Sequence, residues 1–104
     1  MALQTMKARK ALDYLAGVHN HIKNSLSEDI KNYLDEGGYN FFDSIDKCKS
    51  LIEDRMYMME HDDEDYIILN NMYIILQNHY KLFNMIENGL IRNNTLIQID
   101  VYNL

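Results

Sequence analysis

Proline is absent from the 104 residues, and the four glycines stand at Gly17, Gly37, Gly38 and Gly89. Proline removes a helical N–H and clashes with the preceding turn, and glycine is the other strong interruption of a helix. A chain with so few breakers defaults to long helices, with stops expected at Gly37–Gly38 and at Gly89.

Apolar spacing fills the intervals between those stops. Ala8, Ala11, Leu15, Val18 and Ile22 recur at alternating three- and four-residue steps, widened by Leu12, which predicts a first helix over about 3–24. The stretch "SLSEDIKNYLDEGG" reads as a second over about 26–36, with Ser25 and Glu28 in the S-x-x-E capping relation and Leu26, Ile30, Tyr33 and Leu34 facing inward. A third, over about 41–60, carries Phe41, Ile45, Cys48, Ile52, Met56 and Met59 along one side. A fourth, over about 63–88, has two adjacent apolar rows, one with Ile68, Met72 and Ile75 and the other with Leu69, Tyr73 and Leu76, and that breadth makes it the expected central helix.

The last stretch, "TLIQIDVYNL", changes period: Thr95, Ile97, Ile99 and Val101 fall on one side, and Gln98, Asp100 and Tyr102 on the other. A lone strand, or a hairpin turned at Asn93–Asn94, is marginal in water and needs an edge to pair with. Ile97, Ile99 and Val101 are therefore candidate dimerisation residues that pair with a second copy; the other reading is a tail that covers the bundle in extended form. The expected architecture is all-α: one domain over 1–104, a small antiparallel four-helix bundle with an extended or β-strand-like C-terminal tail over 90–104. Its apolar faces exceed one small core, which predicts a homodimer.

A hydrophobic share of 47% supports a packed core in a chain of single-domain length. The formal charge of −6 opposes a grip on nucleic acid, which needs clustered Lys and Arg, and the one basic run, Lys7, Arg9 and Lys10, reads as a solvated helix face. Cys48 alone can make neither an internal disulfide nor a thiolate-rich zinc site. With no signal-peptide pattern and no membrane-length apolar run, the expected setting is the cytoplasm, without membrane contact.

The residues that invite chemistry cluster in "RMYMMEHDDED". The acids Asp62, Asp63, Glu64 and Asp65 lack the glycine and spacing of a calcium loop and suit instead the first turn of a helix, with Asp62 or Asp63 as N-cap. His19 and His21 stand two apart, about 200° around a helix, so they cannot share a tetrahedral ion. His79 reads as a hydrogen-bonded core histidine and Cys48 as a small buried hydrophobe. There is no G-x-S-x-G, glycine-rich phosphate loop or Walker-type lysine. No cofactor and no metal is expected.

Arg55 and His61, in "RMYMMEH", resemble the R-x(4–6)-H motif of HEPN-type ribonucleases. The resemblance implies a helical dimer in which Arg55 holds phosphate and His61 moves a proton during attack by the ribose hydroxyl. The polar residue that commonly follows the family's arginine is missing, and acids follow His61 directly. Read for structure alone, Arg55 falls on the apolar seam of its helix, where it needs a carboxylate such as Asp13 or Glu87.

The function these features favour is non-enzymatic protein interaction. Tyr14, Tyr39, Tyr57 and Met58 are residue types enriched at interfaces, and Asp62, Asp63, Glu64 and Asp65 supply an acidic rim. A small acidic protein of this kind suits a phage or mobile-element inhibitor, an antitoxin or an immunity factor that occupies a basic groove on a partner protein. The alternative is the dimeric ribonuclease built on Arg55 and His61.

Overall fold

A computed structural model of the chain describes residues 2–101. Along the chain the elements are β1 (Ala2–Lys7), α1 (Ala8–Lys23), α2 (Glu28–Glu36), α3 (Ile45–Tyr57), α4 (Glu64–Asn78), α5 (Tyr80–Glu87) and β2 (Leu96–Val101). The expected four-helix bundle with a lone tail is corrected in three places. The first residues form a strand, the fourth helix is two, and the tail is one half of an antiparallel sheet closed within the chain.

The strand β2 follows the period of two: Ile99 is buried and Ile97 and Val101 are half-buried. Its ladder groups need a partner, and β1 supplies it, with Met6 opposite Ile97, Gln4 opposite Ile99 and Ala2 opposite Val101. Tertiary pairing here overrides a modest helical preference in "ALQTMK". The residues proposed for dimerisation, Ile97, Ile99 and Val101, thus lie beside a partner strand in their own chain, and Ile97 and Ile99 join its core. Tyr102 lies outside the described residues.

The same arrangement caps α1. Lys7 makes no side-chain cap, and instead the backbone N–H groups of Ala8 and Arg9 donate to the carbonyls of Thr95 and Asn93 at 2.8 and 3.1 Å. The orphan donors of a helix start are satisfied by the chain entering β2.

Ser27, not Ser25, precedes α2, and its own backbone N–H donates to the Asp65 carboxylate of α4 at 3.1 Å. The helix ends in a Schellman motif: Gly38 adopts φ +76°, its N–H donates to Asp35 and that of Tyr39 to Leu34. Gly89, at φ +70°, closes α5 the same way through Ile86 and Met85.

The third helix is shorter than its apolar row suggested. Asn40 draws residues 40–42 into a turn by accepting from the Phe42 N–H, and Ser44 caps α3 by accepting from the Lys47 N–H at 3.2 Å. At the other end Met58 leaves helical geometry.

Central position falls to α4, which packs against α1, α3 and α5 and buries Leu69, Met72, Ile75 and Leu76. The chain bends at His79 without glycine or proline, so packing sets the bend: beyond it Phe83 is buried edge-on against Phe41, ring centres 4.6 Å apart. One continuous core runs from Leu15 and Leu34 through Ile52 and Leu69 to Ile99.

Candidate functional site

The acids after His61 divide by role. Asp63 is the N-cap of α4 and its carboxylate accepts from the Asp65 N–H at 2.8 Å; Asp65 in turn holds α2 through Ser27. Asp62 and Glu64 are exposed and make none of these bonds.

Shortly before this charged cap in the chain, Tyr57, the last residue of α3, is 91% exposed and Met58, its C-cap, 80%. Tyr57 lines a groove of about 460 Å³ between α3 and α4, together with Glu53, Met56, His61, Tyr66 and Tyr73. His61 stacks on Tyr66 with ring centres 4.7 Å apart. The Glu53 carboxylate, through its hydrogen bond first, pushes the Tyr73 phenol above its ordinary pKa. The groove's lining is mainly aromatic, with Glu53 contributing a carboxylate.

Arg55 does not enter it. Its guanidinium lies 5.9 Å from the centre of the Tyr33 ring on α2, while His61 leans on α4. The carboxylate expected for Arg55 is also elsewhere: Asp13 pairs with Arg9 at 3.4 Å, and among the described residues none stands within ion-pair distance of Arg55. A half-buried guanidinium resting on an aromatic face keeps its polar edge toward water, which removes the need for a buried counter-ion.

The two other tyrosines assigned to a partner surface are half-buried. Tyr14 packs against the core. Tyr39 is carried over α1 by the Schellman turn that ends α2, and its hydroxyl shares a hydrogen bond with Nε2 of His19. Their rings stack 5.6 Å apart at 8°.

His19 is 2% exposed and its Nδ1 has no hydrogen-bond partner among the described residues. Burial, and then the Lys23 charge, lower its pKa to about 4, so the ring is neutral near pH 7. Burial also raises the pKa of Tyr39, with the Cys48 thiol adding to it. Cys48 is itself buried and donates to the Asn40 carbonyl at 3.3 Å, and burial raises its pKa, the mark of a quiet thiol.

A second cavity, of about 410 Å³, opens on this cluster between α1 and residues 39–42. Lys23 stands at its rim, 3.0 Å from Asp35 and 5.4 Å from the Tyr39 ring centre. The sequence held one signal for the histidine: Leu15 and His19 are four apart on the inward stripe, whereas His21 points to solvent. Nothing in the sequence joined His19 to Tyr39.

Among the described residues no three His, Cys, Asp or Glu side chains form a metal-holding group, and no helix is long and apolar enough to cross a membrane. No family model, curated protein or solved structure matches the chain.

Proposed function

We propose that the chain is a non-enzymatic interaction module whose α3–α4 groove binds a partner protein with a basic surface and an apolar anchor. The observation that carries this reading is the exposure of Tyr57 and Met58, 91% and 80%, close in sequence to the exposed Asp62 and Glu64. Exposed aromatic and methionine side chains supply the apolar contact, and the surrounding acids select a positive partner and speed encounter with it. A partner of that kind is a nucleic-acid-binding protein whose phosphate-gripping surface the module covers, as a phage or mobile-element inhibitor, an antitoxin or an immunity factor would. The single cysteine, buried and without a disulfide, suits a cytoplasmic setting.

The test is affinity capture from the native cell with three forms of the chain: wild type, Tyr57→Asp with Met58→Asp, and Asp62→Lys with Glu64→Lys. A partner held by the wild type, released by salt and lost from both variants supports the reading. Equal retention by all three overturns it, as does RNA cleavage by the wild type that His61→Ala abolishes.

A further inference from the structure

We infer that the cavity over Gly17 is a binding site for a small aromatic carboxylate, separate from the α3–α4 groove. The fold does not require the glycine in this cavity's wall. Gly17 lies inside α1, in ordinary helical geometry, where glycine is the poorest helix former after proline. A Cβ built on it meets nothing within 4 Å, so no packing neighbour among the described residues requires its absence. Gly17 is part of the cavity wall, and the absence of a side chain there leaves that space open.

The second observation is His19, two residues further along α1. It is one of the residues lining the same cavity, it is 2% exposed, and its Nδ1 lacks, among the described residues, the partner that a buried polar atom ordinarily has. A residue of the cavity wall therefore carries a buried polar atom that the described residues leave unpaired.

The rest of the lining sets the ligand class. Tyr39, Phe41 and Phe42 present aromatic surface to a space of about 410 Å³, within the range of small-molecule pockets. Each end of the aromatic wall carries a cation: Lys23 over the Tyr39 ring at 5.4 Å and Arg9 over the Phe42 ring at 5.5 Å. Both cations already pair with carboxylates, Asp35 and Asp13, but those carboxylates are exposed and the pairs weakly held, so an incoming carboxylate can compete for Lys23. Asp13 also lines the cavity and disfavours a dianion. A planar ring with one negative group meets all of these features, the ring between Tyr39 and Phe42 and the carboxylate toward Lys23 and the Asn20 and Asn40 amides.

The experiment is a titration of the isotope-labelled full chain, followed by amide chemical shifts, with sodium benzoate, benzyl alcohol and acetate as separate probes. Benzoate should give saturable shifts confined to residues around Gly17, Asn20 and Asn40–Phe42, with acetate and benzyl alcohol at least about tenfold weaker, as expected when ring and charge each contribute. Gly17→Leu fills the cavity from the helix and should abolish the shifts while leaving the circular dichroism spectrum unchanged. Asn20→Leu fills it from an exposed neighbouring position and tests the same point should Gly17→Leu not fold. Lys23→Met should weaken benzoate about tenfold without affecting benzyl alcohol. Diffuse or unsaturable shifts, or shifts that persist in a folded filled variant, overturn the site. Benzyl alcohol equal to benzoate overturns its anionic character.

Discussion

His19 and Tyr39, twenty residues apart, hold the end of α2 against α1 through one hydrogen bond and a near-parallel ring stack. The bond is possible only while the imidazole is neutral at the nitrogen it shares or donates from that nitrogen, and burial favours the neutral ring in either case.

The burial of His19, with the Lys23 charge adding to it, makes stability depend on pH. His19 titrates at about 4 when folded, against an ordinary histidine value of 6.5 once the chain unfolds. Above pH 6.5 neither state binds the proton and the group contributes no slope. Below it the unfolded state takes up the proton first, so stability falls from about pH 6.5 to about pH 4, by about 3 kcal/mol in all. His79, also lowered by burial against the opposing Asp100 charge, acts in the same direction. Urea midpoints measured from pH 7 to pH 4 should fall steeply in the wild type and less steeply in His19→Asn. Parallel curves would remove His19 from the account.

Gly17→Ala should stabilise the chain. The new methyl meets no atom within 4 Å, and a helix interior gains about 0.8–1 kcal/mol from the exchange. In a domain of this size that raises the melting temperature by roughly 4–8 °C. A melting temperature unchanged or lowered in a calorimetric scan would show that an unseen constraint holds the glycine.

The acids before α4 should separate by role. Asp63→Ala removes an N-cap and should cost about 1 kcal/mol, whereas Asp62→Ala and Glu64→Ala should stay within about 0.5 kcal/mol of the wild type. Denaturant unfolding of the single variants measures this. It also shows which substitutions are fit for partner-binding tests, since a variant that loosens α4 would lose a partner for the wrong reason.

The sheet makes a paired prediction. Ile99→Asp places an unpaired charge in the core and should cost about 3–5 kcal/mol, enough to unfold many small domains. Leu3→Lys changes a residue 67% exposed on the strand next to it, opposite Asp100, and should cost little. Light scattering on the Leu3 variant reports in addition whether this outer face associates with a second copy.

The helical periods of α1, α3 and α4 were legible because one face of each meets the core, and the inward sets Ala11–Leu15–Val18 and Leu69–Met72–Leu76 lie where the spacing put them. β1 was not legible. Its "ALQTMK" carries neither strict alternation nor β-branched residues beyond Thr5, and becomes a strand because β2 offers a ladder some ninety positions away in the chain. The bend at His79 had no local signal either, being set by where Phe83 meets Phe41. For the sites, the capping acids followed from helix electrostatics, whereas the His19–Tyr39 contact depends on the direction in which α2 returns, which no spacing encodes. Apolar spacing sets Arg55 near the seam of α3, yet its neighbour is the Tyr33 ring, because an aromatic face can take the place of a carboxylate beside a guanidinium.

The antiparallel pairing of β1 with β2 has a consequence for synthesis. β1 leaves the ribosome before all five helices, and its partner emerges on the order of ten seconds later. Throughout that interval the helices can form and begin to pack, but α1 starts without the Thr95 and Asn93 carbonyls that complete its first turn. The nascent chain therefore waits with an open strand edge, and a companion that shields it during translation would act on a vulnerability the finished molecule no longer displays.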